Sequence, residues 1–68
     1  MAASEHTVEV QRGSQRQDRF SEYLDPDNRA EVRRVLHNWL EDEGIDRGLW
    51  HRYSITVLTS SRLVEVRA

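Results

Sequence analysis

Five apolar residues at helical spacing constrain this chain more than any other feature of its sequence. They stand at i, i+3, i+4, i+7 and i+8, and they are Val32, Val35, Leu36, Trp39 and Leu40. At 100° per residue they span about 140°, which is typical of one buried helix face. The whole stripe, with its tryptophan at the centre, is therefore predicted to belong to the core.

Both ends of this helix are also marked in the sequence. Asp25 before Pro26 is typical of an N-cap followed by proline in the first helical turn. Gly44 stands where a left-handed C′ residue belongs, and Ile45 can then pack back on the last turn. The sequence predicts a helix over 26–43.

After the helix, the apolar period changes from 3.6 to two, which is typical of strands. The alternating residues are Tyr53, Ile55 and Val57 in one run and Val64 and Val66 in the next. A four-residue loop at 59–62 makes these runs a hairpin. In the register that keeps apolar residues on one face, the opposed pairs are Leu58–Leu63, Val57–Val64 and Ile55–Val66.

The segment before the helix is less regular. Residues 1–6 are small and polar, so we expect them to be flexible, and the alternation over 7–11 predicts a strand. Residues 15–24 follow an S-x-x-Q pattern of the capping-box type, which favours a short helix, with an anchored loop as the alternative. The expected fold is a single α+β domain over 7–68 in the order β-α-α-β-β, with the long helix on a three-stranded antiparallel sheet.

Composition sets limits on the function. The chain has 68 residues, of which 37% are hydrophobic and 32% charged, and its net charge is −2. With no cysteine it has neither disulfides nor thiolate metal ligands, and no apolar run is long enough for a membrane span. We expect a cytoplasmic protein. All ten basic residues are arginine, which we interpret as the signature of a GC-rich genome, in a bacterium or in a phage or plasmid of one.

No pattern for catalysis or for a cofactor is present. His37 and Glu41 stand at i, i+4, yet no further histidine or cysteine completes a zinc site. His51 has no recognisable nucleophile or orienting acid around it, and the three glycines form no phosphate-binding loop. We therefore expect no enzyme, no cofactor and no metal. An oligomeric enzyme with a site between subunits is the alternative.

Two groups of residues are candidates for contact with a protein partner. The first is acidic and follows the helix end, and it comprises Glu41, Asp42, Glu43 and Asp46. Its alternative role is structural, with Arg47 and Arg52 folding back onto it. The second group is apolar and comprises Trp50, Leu58 and Leu63. Trp50 can instead close the core, and the two leucines fall on the hairpin face opposite the valines.

These features favour a small non-catalytic protein-binding module that regulates or inhibits a larger partner by surface contact. The alternative is a nucleic-acid-binding regulator that uses the helix flank formed by Arg29, Arg33 and Arg34. The negative net charge argues against nucleic acid. A homodimer is possible if strand 62–67 pairs with its copy.

Overall fold

Six elements follow one another in the structure, a computed structural model that describes residues 3–68. They are β1 (Ser4–Arg12), β2 (Gln15–Leu24), α1 (Arg29–Asp42), a 3₁₀ helix (Arg47–Arg52), β3 (Tyr53–Leu58) and β4 (Leu63–Arg67). The strands form an antiparallel sheet in the order β2-β1-β3-β4, and α1 covers one face of it. The α+β class is confirmed. Among residues 3–68, no helix is long and apolar enough to cross a membrane.

The sheet has four strands where the sequence predicted three, because residues 15–24 are a strand and neither a helix nor a loop. Gly13 adopts a φ of 61°, and Arg12 pairs directly with Gln15 across the two residues between them. This is the geometry of a type II′ turn, in which glycine takes the first central position. The turn sends the chain back along β1, and so Ser14 and Gln17 do not form a capping box.

The first strand is longer than predicted and lies inside the sheet. β1 begins at Ser4, three residues before the expected start, and it pairs with β2 on one side and with β3 on the other. Its register with β2 shifts between Val10 and Gln11. Residues 1–6 were expected to be flexible, and residues 4–6 of this segment belong to β1 instead. Residues 1 and 2 lie outside the described residues.

The helix starts three residues later than predicted and stops one residue earlier, at Asp42, with the predicted ending motif at Gly44. Asn28, not Asp25, is the N-cap, because its side chain accepts from the Glu31 N–H while Asp25 and Pro26 open a turn closed by Asn28 N–H. At the other end, Gly44 has a φ of 71°. Its N–H bonds to the carbonyl of Glu41 and the Ile45 N–H to that of Leu40, which together form a Schellman ending.

The hairpin register is confirmed. Val57 pairs with Val64, Ile55 with Val66 and Leu58 with Leu63. The 59–62 loop is closed by a hydrogen bond from the Thr59 N–H to the Arg62 carbonyl.

The core lies between α1 and the inner face of β1, β3 and β4, with Leu24 added from the end of β2. Its fully buried helix residues are Val32, Leu36 and Leu40. Trp39 is only half-buried, which corrects the prediction that it is core. The helix lies over β3 and β4, so Val35 and Trp39, on its side towards β2, are at the margin, where less of the sheet lies beneath them.

Candidate functional site

The two edges of the sheet differ in how their backbone groups are used. In an antiparallel ladder the N–H and C=O of alternate residues point to the neighbouring strand. The Ala68 N–H bonds to the Tyr53 carbonyl, so the backbone groups of Ala68 point towards β3. By the alternation along β4, the N–H and C=O groups of Glu65 and Arg67 then point away from the sheet. At both residues α1 occupies the outward carbonyl: Arg29 Nη2 donates to the Glu65 carbonyl at 3.2 Å, and Arg33 Nε donates to the Arg67 carbonyl at 3.0 Å.

The edge at β2 has no such cover. The residue pairs between β4 and β3, between β3 and β1, and between β1 and β2 extend this alternation to β2. The backbone groups of Arg19, Ser21 and Tyr23 therefore point outward. The Arg19 N–H is bonded to its neighbour's carboxylate, Asp18 Oδ1, at 2.8 Å. Within residues 3–68, the outward N–H and C=O groups of Ser21 and Tyr23 have no partner. Unpaired groups of this kind are a template for an additional strand.

A groove runs beside this open edge, between β2 and α1. It has a volume of about 140 Å³ and is lined by Phe20, Glu22, Val35, Asn38, Trp39 and Asp42. A cavity of about 150 Å³ holds a benzene molecule, so the groove has room for one large apolar side chain. Three of the six lining residues, Phe20, Val35 and Trp39, are apolar.

The charges on the groove face of β2 are negative. Asp18, Phe20 and Glu22 lie on this face because they oppose Val10, Val8 and His6 of β1 in the register. Asp18 Oδ2 accepts the indole N–H of Trp39 at 2.8 Å, which fixes the tryptophan as one wall of the groove. The arginines of β2 are on the other face, where Arg16 and Arg19 approach Glu9 at 3.5 and 3.2 Å.

Of the predicted acidic group, only Asp42 lines the groove. The other three members, Glu41, Glu43 and Asp46, are exposed around the end of α1. Arg47 does fold back, since its guanidinium lies 4.0 Å from Glu41. Both side chains are largely exposed, so this ion pair adds little to stability.

Trp50 closes one end of the core, which is the alternative to partner contact given in the sequence analysis. It is 8% exposed, and its indole N–H donates to the Ile45 carbonyl at 2.9 Å. His37 packs on one side with ring centroids 4.9 Å apart, and the Arg47 guanidinium lies 4.6 Å from the ring centroid. These neighbours leave little of the indole for a partner.

Leu58 and Leu63 form the predicted pair on the outer face of the sheet, which no helix covers. Leu63 is 69% exposed, and Leu58 is half-buried. They lie beside the β3–β4 loop, where Arg62 pairs with Asp27 near the start of α1. The structure thus separates them from the acidic group, which follows the other end of the helix.

The arginine flank of α1 is mostly engaged in structure. Arg29 and Arg33 donate to β4 as described, and Arg34 is exposed. Among residues 3–68, no three histidine, cysteine or acidic side chains are grouped so as to hold a metal ion.

The groove residues outside the acidic group were not predicted as a site. Phe20 lies in the segment 15–24 that was predicted as a short helix or an anchored loop, and Val35 and Trp39 were predicted as core. Two features of the sequence could have identified them. The Gly13-Ser14 pair suits a two-residue hairpin loop, and Phe20 and Glu22 after it occupy every second position, as residues on one face of a strand do.

No known protein family, curated protein sequence or solved structure matches this chain.

Proposed function

We propose that this chain is a small non-catalytic protein-binding module that receives an extended segment of a larger partner as a fifth strand along β2. Covering that segment would regulate or inhibit the partner by surface contact. The observation that carries the proposal is the difference between the edges: Arg29 and Arg33 of α1 occupy two outward carbonyls of β4, while Ser21 and Tyr23 of β2 keep unpaired backbone groups beside a groove with an apolar part.

Strand addition suits both parts of this surface. Main-chain hydrogen bonds to the edge supply affinity without regard to sequence, and pockets for alternate side chains supply specificity. Ser21 and Tyr23 offer two donors and two acceptors, and each hydrogen bond formed adds about 0.5–1.5 kcal/mol net. A side chain that leaves the new strand on the helix side enters the groove between Phe20 and Trp39.

The test is a selection from a random peptide library against the wild-type chain and against Ser21→Pro. Proline removes the outward N–H at position 21 and leaves the hydrogen bonds between β1 and β2 in place, which is where edge strands tolerate it. The matched control is Leu63→Pro, at the first residue of the opposite edge strand. We expect peptides that bind the wild type and the control and lose binding to Ser21→Pro.

A second measurement does not depend on any variant. When a selected peptide binds, the amide protons of Ser21 and Tyr23 are expected to exchange with solvent more slowly, because they become hydrogen-bonded. Peptides that bind Ser21→Pro as well as the wild type, or that leave both amides unchanged, would show that the partner does not use this edge. A library that yields no binder would contradict the proposal altogether.

A further inference from the structure

The groove face of β2 alternates acidic and apolar side chains in the order Asp18, Phe20, Glu22. We infer that the segment bound along β2 is basic, with a bulky apolar residue flanked two positions away on each side by arginine or lysine. This inference rests on the proposed strand addition and specifies the chemistry of the partner. The pattern is basic-x-apolar-x-basic.

The apolar position follows from the register that an added strand must take. The backbone groups of Phe20 point to β1, so Phe20 cannot exchange hydrogen bonds with the new strand. In an antiparallel pairing its opposite residue belongs to a non-hydrogen-bonded pair, in which the Cα atoms are only about 4.5 Å apart. That residue therefore stands over the Phe20, Val35 and Trp39 surface, and a bulky apolar side chain buries it.

The basic positions follow from the same period of two. Residues two before and two after the apolar one project to the same face and lie opposite Asp18 and Glu22. Asp42 borders the groove from the helix side, and none of the groove-lining residues is basic. Because the acidic residues flank Phe20 symmetrically, the pattern fits a strand of either direction.

The same charges argue against a second copy of this chain as the occupant. In an antiparallel pairing of two β2 strands centred on Phe20, each Glu22 lies opposite Asp18 of the other copy. The carboxylates of both copies, including each Asp18, would then share one seam. Like charges that face each other across strands are destabilising. A strand with arginine or lysine at these positions neutralises the carboxylates instead.

The experiment compares two blocked synthetic heptapeptides, Thr-Arg-Thr-Phe-Thr-Arg-Thr and Thr-Glu-Thr-Phe-Thr-Glu-Thr, by NMR titration of the full chain. We expect the arginine peptide to bind at least about tenfold more tightly, because two opposite-charge pairs are replaced by two like-charge pairs. The variant Glu22→Lys with Asp42→Lys should reverse this order. Neither side chain makes a hydrogen bond or ion pair within residues 3–68, so the fold is expected to persist.

Two controls separate this inference from the proposed function. Ser21→Pro should weaken both peptides, and an arginine peptide with alanine at its centre should lose the shifts at Val35 and Trp39. If both peptides bind equally and Ser21→Pro weakens both, strand addition stands and the basic pattern is wrong. If neither peptide binds, or if light scattering shows a wild-type dimer that Ser21→Pro makes monomeric, the inference is overturned.

Discussion

The guanidinium of Arg33 donates to the carbonyl oxygen of Arg67 at 3.0 Å, and through this contact the helix protects a strand that it also packs against. Arg29 does the same one turn earlier, at Glu65. Edge strands expose backbone groups that pair with other chains, and covering or charging them prevents this. The chain applies that protection to β4 and leaves β2 uncovered.

The first prediction concerns this protected edge. Arg29→Ala with Arg33→Ala exposes the carbonyls of Glu65 and Arg67, so we expect self-association that increases with concentration. Light scattering at micromolar concentrations measures it.

The control for this edge is Arg34→Ala with Arg52→Ala, which changes the net charge equally at two exposed arginines that, within residues 3–68, donate no side-chain hydrogen bond to β4. The control is expected to stay in the same state as the wild type. If both double variants behave alike, the arginines do not protect the edge.

The second prediction concerns the end of α1. Gly44→Ala should lower the free energy of unfolding by about 1 kcal/mol, because a Cβ disfavours the left-handed conformation that the Schellman ending requires. Urea denaturation gives the value. Gly48→Ala is the comparison, since Gly48 has no positive φ and its Cβ would meet only the end of the Asp46 side chain at 3.2 Å. Equal midpoints for the two variants would contradict the role given to Gly44.

The third prediction distinguishes the core from the groove. Leu36 is fully buried, so Leu36→Ala should cost about 2–5 kcal/mol, a large part of the stability of so small a domain. Trp39→Ala should cost less, about 1–3 kcal/mol, because the tryptophan is half-buried at the margin. NMR spectra of the two variants provide the check: native dispersion is expected for Trp39→Ala. An unfolded Trp39→Ala would place the tryptophan in the core after all.

The fourth prediction uses two neighbours on opposite faces of β4. Leu63 is 69% exposed and Val64 is 9% exposed. Leu63→Asp should change the free energy of unfolding by no more than about 0.5 kcal/mol, whereas Val64→Asp buries a charge and should cost about 3 kcal/mol or more. Thermal denaturation measures both. Leu63→Asp should also leave peptide binding along β2 intact, and a loss of binding there would move the site to the outer face.

Features that depend on neighbouring residues could be predicted from the sequence. Gly44 and Ile45 define the helix end through backbone geometry within a few residues, and the apolar alternation of Ile55 and Val57 with Val64 and Val66 permits only one hairpin register. The start of α1 was misplaced because Asp25 and Asn28 are both good caps. The hydrogen bond from the Glu31 N–H to the Asn28 side chain selects the second.

The conformation of residues 15–24 and the position of the groove depend on contacts between distant parts of the chain, so the sequence did not predict them. A polar segment with Phe20, Tyr23 and Leu24 has weak preferences of its own, and it becomes a strand because β1 offers its other edge for pairing. The groove then arises because one helix covers three strands of a four-stranded sheet. Trp39, which the helical period assigns to the core, is left at the margin beside Phe20, since burial depends on what lies beneath a residue as well as on the face it occupies.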